Sequence, residues 1–246
     1  MPGMGRAESR MRSVRPGKGF TLIELAIVLF VVTLLLGGVL TPLGQQLAER
    51  QGADTRRALE TARVALVGYA LGQRNAVSAG HLPCPDMRSP GTGGVANDGL
   101  EDRLADGRCA VLAGSLPWRT LGLAETDAWG NRLGYAVAPR WAATTTDVQL
   151  LQICEDSRCE PAMTAAAVLI SHGRNGHGAI NSANVTNLAP TSAEELENVD
   201  GDRRFILHPP RASDRPGGEF DDIVLPLSAD WLRGRLCDPA ALCEGG

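Results

Sequence analysis

The longest apolar run in the chain extends from Phe20 to Leu40, FTLIELAIVLFVVTLLLGGVL, and Glu24 is its one charged residue. As a helix rising ~1.5 Å per residue it spans roughly 31 Å, the thickness of one bilayer core. A secretory signal has an apolar stretch of only about 7–15 residues and ends at a small-residue cleavage site. This run is longer and leads into Thr41-Pro42-Leu43, so it reads as a retained anchor. Beyond it the helical register continues, with Leu59, Ala62, Leu66 and Tyr69 at three- and four-residue spacing, one face for packing on a globular head. Pro42, Gly44 and Gly52 are weak points, because proline removes a backbone bond and glycine costs about 1 kcal/mol relative to alanine. A long, bent helix is expected.

The pattern then changes. From His81 to Gly114 the chain is rich in Gly, Pro and Asp and follows neither period, which predicts irregular loops. In DAWGNRLGYAV (127–137), Gly130-Asn131 supplies a turn, and Leu133, Tyr135 and Val137 alternate as a half-buried strand. AAAVLISHG (165–173), RFILH (204–208) and FDDIVLPL (220–227) are further strands. The expected fold is α+β: a long N-terminal helix, transmembrane in its first half, packed on a small antiparallel sheet of three to five strands with long irregular loops. The boundaries follow as a basic leader at 1–19, a transmembrane helix at 20–41, its amphipathic continuation at 42–75 and a globular head at 76–246.

Charge orients this plan. The whole chain of 246 residues carries a net charge of -4, yet residues 1–19 hold five basic residues against Glu8, so the acidic character lies in the head. Basic residues before the span favour a cytoplasmic N-terminus, inner-membrane anchoring and a periplasmic head. The acidic head argues against nucleic acid as a partner. All six cysteines, Cys84, Cys109, Cys154, Cys159, Cys237 and Cys243, follow the apolar run, and an oxidising compartment favours disulfides. Six cysteines allow fifteen connectivities; pairing of sequence neighbours is the expectation taken.

A carboxylate within a membrane span is expensive and marks a function with a nameable partner. A cut between Gly19 and Phe20 would create that partner: the new Phe20 amine lies four residues before Glu24, one turn along the same helix face. Lys18-Gly19-Phe20-Thr21-Leu22-Ile23-Glu24-Leu25 resembles the processing site of type IV prepilins and type II secretion pseudopilins. The resemblance implies cleavage after Gly19 by prepilin peptidase, methylation of the Phe20 amine, and recruitment through Glu24 into a filament. Its implied partners are the peptidase, other pilin or pseudopilin subunits, an inner-membrane assembly platform and the lipid bilayer. A second, looser similarity links Asp127-x-Trp129-Gly130, Tyr135, Ser171-x-Gly173 and Asp221-Asp222-Ile223 to the sheet of major pseudopilins, although a loop of about fifty residues separates its last two pieces. The size left after cleavage points instead to a minor pilin, a minor pseudopilin or a stand-alone relative.

In the major pseudopilins a calcium ion ties down the loop before the last strand. By that resemblance Asp221 or Asp222, with a loop oxygen from Ser171 to Asn175 or with Asp200 and Asp202, is a calcium ligand candidate. The glycine-rich turn between His172 and His177 lacks the patterns of a phosphate loop or a zinc peptidase. Cys154 and Cys159, like Cys237 and Cys243, are closely spaced enough for zinc, but small disulfide loops are preferred. No nucleophile elbow is present, and His81 beside Cys84 reads as a rigid loop with a disulfide. Trp118, Trp129, Trp141 and Trp231 are expected as core anchors. A structural subunit, not an enzyme, is therefore the leading reading, with a membrane-anchored periplasmic enzyme or metal-binding protein as the competitor and a tip adhesin third.

Overall fold

A computed structural model describes residues 19–72, 80–156 and 158–236, without the side chains at 36–43, 161 and 162. The chain falls into two compact units, Met1–Ala48 and Glu49–Gly246. Helix α1, Leu22–Gly72, begins in the first and ends in the second, and it runs through Pro42, Gly44 and Gly52 without a break. One proline forfeits one helical hydrogen bond, and the Leu-rich run before it and the Leu-, Ala-, Gln- and Arg-containing sequence after it have enough helix propensity to carry the helix across.

In the first unit every residue from Gly19 to Leu35 is exposed, although nearly all are apolar. Among the described residues no helix is long and apolar enough to cross a membrane. The segment expected to do so, residues 20–41, continues into positions 36–43, whose side chains lie outside the described residues.

The second unit is built on a stripe of α1. Leu59, Ala62, Leu66 and Ala70 are buried against Tyr135, Val137, Leu169, Leu227 and Leu232. The stripe ends on Ala70, not on the expected Tyr69, because steps of four residues hold one face; Tyr69 stands beside it, half-buried, and its hydroxyl donates to Glu101. The remaining elements are β1 (Ala113–Ser115), α2 (Trp118–Leu121), β2 (Gly134–Val137), α3 (Pro139–Ala142), β3 (Leu151–Cys154), β4 (Pro161–Ala165), β5 (Ala167–Ser171), α4 (Ala193–Glu197), β6 (Arg204–Ile206), β7 (Ile223–Leu227) and α5 (Ala229–Leu236).

Strands β1-β2-β5-β7 form an antiparallel sheet in that order, which confirms an α+β fold with the helix on an antiparallel sheet. A single sheet was expected; there is a second, β4-β3-β6, in which β3 and β6 run parallel. It covers the face of the main sheet away from α1, where Ala136, Val168, Ile170 and Val224 meet Leu151, Ile153 and Phe205. This explains why β5 is buried along its whole length. It also corrects two strand assignments. The 204–208 strand belongs to the second sheet, and the 165–173 run divides at Ala166. The Ala166 N–H donates to Leu227 and its carbonyl accepts from Ala138, so the chain changes sheets there.

Disulfides join Cys84 to Cys109 and Cys154 to Cys159, as neighbour pairing anticipates; Cys237 and Cys243 lie outside the described residues. Of the four tryptophans only Trp118 is fully buried. Trp141 and Trp231 pack at the rim of the core, with the Arg63 guanidinium 4.8 Å from the Trp231 ring centre. The core is made mainly of Leu, Ala, Val and Ile with Tyr135, Phe205 and Phe220.

Residues 81–114 are irregular in backbone yet internally fixed. Asp86, wholly buried, accepts from Asn97 N–H at 2.8 Å and Gly99 N–H at 2.9 Å, and Asp102 accepts from Met87 N–H at 2.7 Å. Burial pushes the Asp86 carboxyl up to about 6, against those amide bonds, which pull it down. A raised carboxyl stabilises the fold fully below its ordinary value of 3.8, and that contribution is lost as pH rises through about 6. Asp86→Asn, neutral throughout, is expected to flatten the fall in Tm across this window; a slope equal to wild type would show that Asp86 does not set it.

Candidate functional site

The N-terminal motif and a cluster in the head both carry chemistry. At the start of α1 the Thr21 hydroxyl accepts from Glu24 N–H at 3.3 Å, while Glu24 Oε2 accepts from Thr21 N–H at 3.1 Å and from the Thr21 hydroxyl at 3.2 Å. This is a reciprocal capping box, which satisfies two amides that a helix start leaves without partners. Its signature, Thr21-x-x-Glu24, is legible in the sequence. Gly19 and Phe20 lie before the helix and are both exposed, Phe20 to 84%, so the peptide bond between them is outside regular structure.

The head cluster is set by strand register. Pairing of Ser171 with Ile223 brings His172-Gly173 beside Asp221-Asp222, at the end of β5 and just before β7. Helix α4 adds Glu195, whose N–H is capped by Ser192 Oγ at 3.2 Å. Carboxylate oxygens of Glu195, Asp221 and Asp222 all lie within 4.8 Å of one another. Glu195 Oε1 accepts from Asp221 N–H at 3.0 Å and from the Asn175 side-chain amide at 3.2 Å. Asp221 Oδ2 accepts from Asn175 N–H at 2.9 Å, and Asp222 Oδ2 from the Asn198 side chain at 2.8 Å. His172 Nδ1 is 3.4 Å from Asp222 Oδ1, and His177 Nδ1 is 3.9 Å from Glu195 Oε2.

Gly173 is required at the centre of this arrangement. Its φ is +60°, and a Cβ there would lie 2.3 Å from the Asp221 carbonyl oxygen.

The cluster is rich in negative charge and short of donors. Glu195 and Asp222 are buried, and Asp221 is half-buried. Burial pushes Asp221 up to about 6, opposed by the Asn175 amide and assisted by repulsion from Glu195 and Asp222. Burial likewise raises Glu195. Asp221 Oδ1, both ring nitrogens of His172 and Nδ1 of His177 are buried with no hydrogen-bond partner. Three convergent carboxylates with an unsatisfied oxygen are a donor set that fits a hard divalent cation.

The sequence-predicted residues are distributed unevenly around this centre. Asp221 and Asp222 come together, and Asn175 joins them. Ser171 instead donates to Asp127 Oδ2 at 2.6 Å, which ties β5 to the turn before β2. Asp200 and Asp202 form a separate, more exposed group with Glu197, and Arg204 is paired with both Glu197 and Asp202. Glu195 was not foreseen, since within Ala193-Glu194-Glu195-Leu196-Glu197 nothing distinguishes one glutamate from another. Cys84 is disulfide-bonded, so it is not a free thiol beside His81. Cys154 is likewise bonded to Cys159, which removes that pair as zinc ligands.

Comparison with known proteins bears on the first of the two places. Residues 15–40 match the family model described as the prokaryotic N-terminal methylation motif, the signal of type IV pilin-like and pseudopilin substrates of prepilin peptidase. No curated protein and no solved structure matches the chain.

Gly173→Ala is expected to destabilise the protein by about 1–3 kcal/mol in urea unfolding, because the new Cβ meets backbone in a left-handed conformation. A neutral result would mean that the β5–β7 end reshapes freely around the cluster.

Proposed function

Proceeding from the prepilin-type signal in residues 15–40, we propose that this protein is a minor pilin or pseudopilin subunit of a type IV pilus or type II secretion pseudopilus. Prepilin peptidase removes residues 1–19 by cutting between Gly19 and Phe20 and methylates the Phe20 amine. Residues 20–41 hold the subunit in the inner membrane, with the N-terminus cytoplasmic and the head periplasmic, until an assembly platform passes it into the filament.

The single observation that carries this reading is the motif match. The exposed apolar surface of α1 from Leu22 to Leu35 supports it, since a helix that is apolar on all sides needs lipid or other helices as its surroundings. Glu24 supports it as well. A capped glutamate in such a segment keeps its charge close to the helix start, where neighbouring subunits can share it.

In the head, Glu195, Asp221 and Asp222 would hold a calcium ion. Bound there, it would supply positive charge to the orphaned Asp221 oxygen and so help to hold the loop before β7.

Intact mass and N-terminal sequencing of the membrane-extracted protein, expressed with and without a prepilin peptidase, test the first claim. A chain starting at methylated Phe20 only when the peptidase is present is the expected result; an uncut chain, or a cut beyond residue 40, sinks it. Glu24→Ala is expected to be cut normally yet fail to enter filaments, read by shearing and immunoblotting. For calcium, Tm should rise on adding the ion, by up to about 2.7 kcal/mol of stabilisation at a hundredfold excess over Kd, and Glu195→Gln with Asp221→Asn should abolish the rise. An equal rise in that double variant would place the ion elsewhere.

A further inference from the structure

The loop between β5 and α4 carries a motif that neither the processing signal nor the carboxylate cluster uses. Asn184-Val185-Thr186 is Asn-x-Thr with a non-proline centre, and no other asparagine of the chain is followed two positions later by Ser or Thr. This is the acceptor pattern for sugar attached to an asparagine nitrogen on the surface of exported proteins. The fold presents it at a tip. Residues 182–186 are all exposed, and Asn184 turns the chain with a φ of +61°. The tip is held from within: Asn181 Oδ1 accepts from Ala183 N–H at 2.9 Å and from Val185 N–H at 3.2 Å, and Asn181 N–H donates to the Val185 carbonyl at 3.0 Å.

An idle amide separates this asparagine from the others. Asn97, Asn131, Asn175, Asn181, Asn187 and Asn198 all commit their side chains to hydrogen bonds that hold loops together. Among the described residues Asn184 is the one asparagine whose side chain makes none, and the Thr186 hydroxyl makes none either. A left-handed backbone favours asparagine over most residues, and Asn97 shares that conformation, yet Asn97 uses its amide. Backbone conformation also leaves unexplained an exposed, unpartnered hydroxyl two residues further on. The surroundings point the same way. Val185 and Leu188, one and four residues beyond the acceptor, are apolar side chains 55% and 78% exposed, and covering such surface is favourable.

We propose that Asn184 is a glycosylation site, at which a transferase attaches a sugar through Nδ2, and that the sugar's C–H faces cover Val185 and Leu188 while its hydroxyls stay in water. The donor is a glycosyl diphosphate. Nδ2 bonds to the anomeric carbon as that carbon's bond to the diphosphate oxygen breaks; the diphosphate leaves with the bonding electron pair, and one Nδ2 proton passes to a base on the transferase. Nothing is oxidised or reduced. The diphosphate is carried by a polyprenyl lipid outside the cytoplasm and by a nucleoside within it. A periplasmic head, as proposed above, implies the lipid-linked donor, whereas the acceptor is the same in either case.

The test is mass spectrometry of full-length protein extracted with detergent from its native cells. Trypsin releases residues 175–203, bounded by Arg174 and Arg203, and electron-transfer fragmentation assigns any added mass within that peptide. A sugar increment on Asn184 is expected. Asn184→Gly suits the left-handed turn and so keeps the fold, which near-UV circular dichroism checks; it should lose the sugar completely, as should Asn184→Gln. Thr186→Val should lose it too, whereas Thr186→Ser, which restores the hydroxyl, and Ser182→Ala should both keep it. Blocking sugar-phosphate transfer to polyprenyl phosphate in the cells should leave the peptide bare. Sugar that persists on Asn184 under that block would keep the site and overturn the periplasmic placement of the head instead. An unmodified 175–203 peptide from native cells, sugar on a different residue of it, or undiminished sugar in Asn184→Gly would each overturn the proposal.

Discussion

A carboxylate withdrawn from water must be given donors, and much of the head is arranged around that requirement. Asp86, Asp102, Asp127, Glu195 and Asp222 are all buried. Asp86 and Asp102 accept from backbone amides and fix the 81–114 region, which has no hydrophobic period to fold it. Asp127 takes the Trp129 and Asn131 amides and the Ser171 hydroxyl, so it holds the turn before β2 to the end of β5. Glu195 and Asp222 do the same for the loop that leads into β7. The apolar layers between α1 and the sheet can be flat and simple because the strand ends are held by polar contacts.

The helix and the main sheet were legible because they obey strong periodicities. Leu59, Ala62 and Leu66 repeat with the helix, and Leu133, Tyr135 and Val137 alternate with the strand. The second sheet was not legible, since Leu151–Cys154 is four residues long and sits between polar stretches, and its partner Arg204–Ile206 is shorter still. Nor does a sequence say that Ala166 is where one strand becomes two; an alanine fits either sheet, and only the competing backbone bonds to Leu227 and Ala138 decide it. Of the head cluster, Asp221 and Asp222 were readable as an acidic pair before an apolar strand. Glu195 depended on where α4 comes to rest, a tertiary fact with no local signal.

The outer face of the main sheet is thus divided electrically. Around Asp221 and Glu195 there are too few cations and donors, and around Arg88 there are too few anions and acceptors. His172 stands between them, one ring nitrogen toward Asp222 and the other packed close to Gly134. The two halves do not neutralise each other, because Arg88 is committed to the Gly178 side of the sheet and the carboxylates to the loop before β7. Such a separation of charge in a buried region is costly by itself.

The capping box bears on how a precursor and its product relate. Thr21 and Glu24 both follow the Gly19–Phe20 bond at which processing is proposed, so the cap at the start of α1 is made by residues that such a cut would leave in place. A cut there would keep this cap and change the electrostatics of the helix start. A free ammonium at residue 20 would face the positive end of the helix dipole, with the one nearby carboxylate already shared with Thr21. Processing would then convert a self-contained helix terminus into one that is locally overcharged, and a carboxylate on another chain is the natural remedy.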